Sequence, residues 1–188
     1  MKSSQPLGNS VFTWVVKIAL PAFVLILLAS FTPLRAEPGN DNRVPAAPPA
    51  IDVPNGNKVH FHTYAVGVQI YVWNGTIWVF KAPEAVLLAN ANGQGEVGIH
   101  YAGPTWESES GSKVVGARVA GITVDPTAIP WLLLRAVSAE GPGIFSLTTY
   151  IQRVNTAGGL APASPGTLAG QEVRVPYTAE YYFYRKQD

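Results

Sequence analysis

The chain has 188 residues, a length typical of a single domain. Charged residues make up only 13% of it, about half the usual share of roughly 25%. It has no cysteine, which excludes a disulfide scaffold, a thiolate metal site, a cysteine nucleophile and a lipidated cysteine anchor.

The formal net charge of +1 includes Lys2, Lys17 and Arg35 near the N-terminus. Without the first 36 residues, ten basic and twelve acidic side chains remain, which gives −2. No basic stripe is left to attract nucleic acid or an anionic membrane surface. We therefore expect no nucleic-acid partner, and no cofactor or metal is indicated.

The N-terminal segment has the parts of a secretory signal. Basic residues precede an uncharged apolar run, Ile18–Phe31, and the segment ends in the small residue Ala36. A retained membrane anchor would need about 20 apolar residues, a length reached only by including Lys17. We predict that residues 1–36 are a cleaved signal peptide and that the protein is periplasmic or secreted. It would contact a membrane only through an uncleaved signal.

Residues 37–54 are proline-rich and irregular, and we expect them to form a leader that lies along the domain or trails from it. Residues 55–188 are then a single β domain. Its clearest element is a hairpin, Val66–Trp73 and Thr76–Lys81 around Asn74-Gly75, a pair favoured in two-residue turns. Such a turn pairs Trp73 with Thr76. One face of the hairpin is then aliphatic, with Ile70, Val72, Ile77 and Val79. The other face is aromatic, with Tyr71, Trp73, Trp78 and Phe80.

Further strands are predicted between clusters of Gly, Pro, Asn and Ser. They are Gly95–Tyr101, Lys113–Val124, Trp131–Ser138, Gly143–Thr156 and Glu172–Arg185. Pro176 cannot donate to a ladder, so a break or an edge is expected there. Pro83–Ala89 could form two helical turns. The pattern predicts an all-β fold, an antiparallel barrel-like or sandwich domain with at most one short helix, behind an N-terminal signal helix.

Two motifs suggest binding chemistry only weakly. Gly93-Gln-Gly-Glu-Val-Gly98 has the letters of a dinucleotide fingerprint, but no helix can follow it, so a turn between strands is favoured. His60 and His62 would share one face of a strand, and His100 would add a third potential metal ligand, but this pattern is not specific and surface histidines on an early strand are favoured.

The candidate site residues come from polar and aromatic clusters. The segment His100–Glu107 contains a base, a phenol, an indole and a carboxylate around Gly103-Pro104. We expect the turn to bring His100 and Glu107 to one cavity beside Trp106, although a structural role for all three is the simpler alternative. The predicted ligand-binding residues are His100, Tyr101, Trp106, Glu107, Trp73, Trp78, Gln152 and Arg153.

Several blocks resemble the family catalogued as domain of unknown function 3455. They are His100-Tyr-Ala-Gly-Pro-Thr-Trp-Glu107, Gly111-Ser-Lys113, Ile151-Gln-Arg-Val-Asn-Thr-Ala-Gly-Gly159 and Ala161-Pro162, in a match that runs from about Gly67 to the C-terminus. The resemblance implies an uncharacterised exported protein of bacteria or fungi. Some fungal relatives carry a malate dehydrogenase label, which the rejected nucleotide motif does not support.

The chain departs from the family pattern at two places. The pattern often has cysteines where this chain has Val72 and the stretch 163–166, so the disulfide that the resemblance implies is lost. It commonly has an aspartate at Ser110, which weakens any role of that loop in metal binding or acid catalysis.

The sequence favours a non-catalytic module that binds a small molecule, a glycan or a partner protein. One alternative is a hydrolase or isomerase-type enzyme that uses His100 and Glu107. Another is a structural envelope or stress protein without a pocket. A fold alone does not decide among these functions.

Overall fold

The computed structural model describes residues 43–187, and these residues form a closed antiparallel β-barrel. Each strand pairs with the next along the chain, and the eighth returns to pair with the first. The predicted all-β class is confirmed, and the barrel is the form that it takes. The predicted signal and residues 37–42 lie outside the described residues. The strands are β1 (Asn57–Trp73), β2 (Trp78–Leu88), β3 (Glu96–Tyr101), β4 (Thr105–Ser108), β5 (Lys113–Ile122), β6 (Trp131–Glu140), β7 (Tyr150–Gly158) and β8 (Glu172–Lys186).

The helix predicted at Pro83–Ala89 is wrong, because this segment belongs to β2. Ala85 and Leu87 are buried while Glu84 and Val86 are exposed, which is the two-residue alternation of a strand. Pairing with β3 begins only at Ala85, so no strand flanks Pro83 on that side. The long strand β1 supplies the pairing partner that favours extended backbone here.

The β1–β2 hairpin exists, but its turn is longer than predicted. Trp73 pairs with Trp78 instead of Thr76, and the loop has four residues, 74–77. The Asn74 side chain explains the longer loop, because its Oδ1 accepts hydrogen bonds from the N–H groups of Thr76 and Ile77, both at 2.9 Å. The register moves by two residues, so Tyr71 and Phe80 still share a face, as do Trp73 and Trp78.

Gly75 still requires a left-handed backbone, with φ at +99°. We expect Gly75→Val to lower the free energy of unfolding by about 1 kcal/mol or more, since a β-branched side chain is strained there. Urea unfolding measures the change. Thr76→Val, one residue further along the same exposed loop, is the control and should be nearly neutral. An unchanged midpoint for Gly75→Val would contradict the positive φ.

The remaining strands differ from the prediction mainly in length. The four residues of β4 were not predicted as a strand, and the segment 143–149 is a loop that precedes β7. Pro176 lies within an unbroken β8, but pairing with β7 ends at Tyr177. The proline therefore occupies a local edge, as expected for a residue without an N–H group.

One end of the barrel is closed by aromatic side chains. Phe145, in the loop between β6 and β7, is fully buried against Phe61 and Phe183, with ring centroids 5.8 and 4.7 Å away. The Phe145 N–H donates to Ser112 Oγ at 3.3 Å, which fastens this loop to the turn after β4. The interior is therefore solid at this end.

The described part of the leader, residues 43–54, packs against the outside of the barrel. A single 3₁₀ turn, Pro49–Ile51, buries Ile51 completely against Leu133, Val154 and Tyr182 on the outer face. The sequence left open whether the leader lies along the domain or trails from it, and this part lies along it. The apolar contact forms a second core on the outside of the barrel.

Among residues 43–187, no helix has the length and apolar character needed to cross a membrane. The same residues contain no group of three or more His, Asp or Glu side chains placed to hold a metal ion.

Candidate functional site

The barrel end opposite Phe145 contains a cavity of about 590 Å³. It lies between the β3–β4 turn, the start of β2 and the segment before β6, and it reaches the surface at Phe80, which is 50% exposed. The wall is mostly apolar or aromatic: Tyr71, Phe80, Pro83, Gly103, Pro104, Trp106, Ile129, Pro130, Leu132, Leu134 and Tyr181. Its polar lining residues are Gln69, Lys81, His100, Arg118 and Arg153.

His100 is buried in the cavity wall as a neutral imidazole. Its Nδ1–H donates to the Thr105 carbonyl oxygen at 2.8 Å, because a carbonyl can only accept. The ring stacks on Trp106, with centroids 4.3 Å apart. Burial lowers the pKa of His100 to about 3, and the positive charge of Arg153 acts in the same direction. Nε2 is left as an acceptor, with no hydrogen-bond partner among residues 43–187.

Two buried donors in the same wall have no hydrogen-bond partner in the described chain. Trp106 Nε1 belongs to a side chain that is 1% exposed, and Gln69 Nε2 to one that is 2% exposed. The Gln69 amide lies near the Tyr177 hydroxyl, without a hydrogen bond of normal geometry. An unpaired buried donor costs about 1–3 kcal/mol. Both residues line the cavity, but the two nitrogen atoms themselves are shielded from its open space.

Arg153 brings a positive charge to the cavity. The residue lies on β7 opposite Tyr181, with its side chain on the inner face of the barrel. Its Nε and Nη2 groups both donate to the Pro130 carbonyl oxygen, at 3.2 and 2.8 Å. This fork fixes the guanidinium plane against the start of β6 and leaves other N–H groups unused.

The charges at the cavity are of one sign. The lining includes Lys81, Arg118 and Arg153 but no aspartate or glutamate. Lys81 is neutralised by an ion pair with Glu172, outside the lining. Neither arginine has a carboxylate partner among residues 43–187. The cavity is therefore an apolar space with uncompensated positive charge.

Three of the eight predicted site residues meet at this cavity, namely His100, Trp106 and Arg153. They come from β3, β4 and β7, which the closure of the barrel brings together. The prediction that they bind a ligand stays a prediction. Their grouping nevertheless distinguishes them from the other five.

The expectation that His100 and Glu107 share a cavity is wrong. In the β3–β4 register His100 pairs with Trp106, while Glu107 pairs with Ile99 and so lies on the outer face. There Glu107 accepts a hydrogen bond from the Tyr101 hydroxyl at 2.8 Å and lies 3.4 Å from Lys113 Nζ. Adjacent strand residues alternate faces, which places Tyr101 outside as well.

The other predicted site residues have separate surroundings. Trp73 and Trp78 line a second cavity of about 290 Å³ with the segment 161–165, and Trp78 Nε1 donates to the Ser164 carbonyl oxygen at 2.9 Å. Gln152 lies on the outer face, where its Nε2 donates to the Ile51 carbonyl oxygen at 2.8 Å. It thereby fastens the leader to the barrel.

Several lining residues were not predicted from the sequence. Gln69 and Tyr71 were assigned to a strand, but nothing in the sequence indicated which face points inward. Arg118 and Leu132 lacked any motif, since they meet only through the β5–β6 pairing. A polar residue in an apolar strand, as Gln69 is between Val68 and Ile70, was the one available signal.

Residues 54–185 match the model of a protein family described as "Protein of unknown function (DUF3455)". The chain belongs to this family. Comparisons with curated proteins and with solved structures found no match. The region that matches DUF3455 contains every residue of the cavity wall, from Gln69 to Tyr181. Membership confirms the resemblance noted in the sequence and assigns no activity to the barrel.

Proposed function

We propose that the barrel binds a small, mainly apolar molecule in its open-ended cavity and does so without catalysis. The observation that carries this proposal is a cavity of about 590 Å³ that opens at one end of the barrel and has a mostly apolar and aromatic wall. Ligand sites are typically about 300–1,000 Å³, mostly apolar, with a few polar groups that orient the ligand. The cavity has this size and this composition.

The position of the cavity also supports binding. Aromatic packing around Phe145 closes one end, so a ligand can enter only from the end where Phe80 is exposed. An eight-stranded barrel has an interior that is either filled by side chains or holds one small ligand. Here one half is filled and the other half is open.

The electrostatics favour binding over acid–base catalysis. With a pKa of about 3, His100 is a very weak base at neutral pH. Glu107, which the enzyme hypothesis required as its partner, lies on the other side of the sheet. No carboxylate lines the cavity to take its place.

A neutral fluorescent probe tests the proposal. We expect N-phenyl-1-naphthylamine to bind one site per barrel with micromolar affinity and enhanced emission. Leu132→Trp should reduce the affinity about tenfold or more, because the larger ring fills the cavity mouth. Val137→Trp, on the outer face of the same strand and 54% exposed, is the control and should bind as the parent does.

Circular dichroism must show both variants folded for the comparison to hold. Equal affinity of the two variants would place the probe outside the cavity and contradict the proposal. Absence of binding to the parent protein would also contradict it and would favour a structural role.

A further inference from the structure

We propose that the ligand of the barrel carries an anionic group, such as a carboxylate, and that Arg153 and Arg118 hold this group at the cavity mouth. This inference rests on the proposed function and adds the chemical class of the ligand. It follows from the positions of the two guanidinium groups and from the absence of any acidic partner for them in the described chain.

Arg153 is fixed in place but not neutralised. Its two hydrogen bonds to the Pro130 carbonyl oxygen orient the guanidinium without cancelling its charge. No carboxylate among residues 43–187 lies within ion-pair distance of it. A partly buried cation without a counter-ion is costly, and a bound anion would offset that cost.

The charge of Arg153 acts on several groups inside the barrel. Burial raises the pKa of the Tyr71 hydroxyl, and the Arg153 charge opposes part of that effect. The same charge acts on His100, where it adds to the lowering caused by burial. Tyr71, His100 and Arg153 come from three different strands and all line the cavity, so the guanidinium lies beside the space that they enclose.

Arg118 places a second guanidinium at the same mouth. A Cβ built on Gly121 would lie 2.7 Å from Arg118 Nη2 and 2.7 Å from Leu132 Cδ2, so the guanidinium packs over the glycine beside Leu132. Leu132 pairs with Arg153 on β7 and with Gly121 on β5. The two arginines therefore flank Leu132 from neighbouring strands.

The rest of the wall suits the same ligand. Its apolar and aromatic residues, among them Tyr71, Phe80 and Leu132, would contact the body of the ligand. A cationic ligand would meet two uncompensated guanidinium groups and no carboxylate. A ligand with an apolar body and an anionic group therefore matches both the apolar wall and the two arginines.

Two probes that differ by one anionic group give a direct test. 8-Anilinonaphthalene-1-sulfonate has the ring system of N-phenyl-1-naphthylamine with an added sulfonate. We expect the parent protein to bind the sulfonate about tenfold more tightly than the neutral probe, and sodium decanoate to displace it more effectively than 1-decanol. The contact between the arginine side chains and the bound anion is partly exposed to water, so the preference for the sulfonate probe should decrease with added salt.

Variants then locate the anion. Arg118→Gln and Arg153→Gln should each reduce the ratio of the sulfonate affinity to the neutral-probe affinity. Arg135→Gln is the matched control, because Arg135 lies on the outer face of β6 and pairs with Tyr150. Arg118 is exposed and bonded to no backbone group, so its variant should fold even where that of Arg153 does not.

The outcomes separate this inference from the proposed function. If the neutral probe binds and the sulfonate binds no more tightly, the inference of an anionic ligand is contradicted, whereas the proposed binding of an apolar molecule is supported. A preference that survives both arginine substitutions, or that Arg135→Gln removes equally, also overturns it. If neither probe binds, the proposed function itself fails.

Discussion

Replacing Phe183 with alanine should lower the free energy of unfolding by about 3–5 kcal/mol. Phe183 is fully buried at the closed end of the barrel, and its ring contacts those of Phe61, Phe145 and Trp106, with centroids 5.7, 4.7 and 6.0 Å away. Its removal leaves a cavity among rigid aromatic rings that cannot close over it. Urea unfolding at neutral pH measures the loss.

The control for this prediction is Phe80→Ala. Phe80 is 50% exposed at the cavity mouth and touches Tyr71 edge-on, with centroids 5.7 Å apart. We expect a loss of about 1 kcal/mol or less, because about half of this side chain remains in water in the folded protein. Equal losses for the two variants would mean that the aromatic cluster at the closed end does not anchor the barrel.

Acidification should destabilise the protein well before its carboxylates titrate, because of His100. The pKa of His100 is about 3 in the folded chain and 6.5 in an unperturbed histidine. Between these values the unfolded chain binds a proton that the folded chain excludes, so stability falls as the pH falls. The contribution is complete above about pH 6.5 and is lost progressively towards pH 3. The slope is about 1.4 kcal/mol per pH unit.

Burial also lowers the pKa of His60, to about 4, and the charge of Arg185 adds to this effect. Its contribution to stability therefore changes in the same direction over the same range. Urea unfolding of the parent protein and of His100→Gln, measured at several pH values from 7.5 to 4.5, isolates the part that His100 contributes. The variant is less stable at pH 7.5, where its lost contacts matter, but should show a shallower slope. Parallel slopes would contradict this prediction, because they would show that His100 takes up a proton as readily in the folded chain as in the unfolded one.

Strand positions were predictable where alternation was long enough to detect. The strand β8 extends over fifteen residues, and the predicted strand Glu172–Arg185 differs from it by one residue. The four residues of β4 span too few alternations to differ from a turn. At Pro83 a helix-start signal competed with a weak alternation. The segment forms a strand because it pairs with β1, and no local sequence pattern shows that this pairing occurs.

The site was harder to predict than the strands, because the length of each turn determines which residues face the cavity. Tyr101 pairs with Thr105 across a three-residue turn, so His100 faces Trp106 and Glu107 faces the other way. Proximity in sequence suggested the pair of His100 and Glu107, whereas turn length determines the face of each residue. The grouping of Arg118 with Arg153 depends on the pairing of β5, β6 and β7, which a single sequence does not specify.

The pairing of the first strand with the last determines how the protein can fold. The ladder from Asn57 opposite Lys186 to Val72 opposite Glu172 joins residues about a hundred or more positions apart. Such distant contacts repay the entropy of chain closure only after most of the polypeptide is ordered, so folding on the scale of milliseconds to seconds is expected. Of the eight strands of the barrel, β8 is also the last to be synthesised. A truncation before Glu172 would therefore not shorten the barrel but open it along its length, exposing the hydrogen-bonding groups of β1 and β7 to other chains.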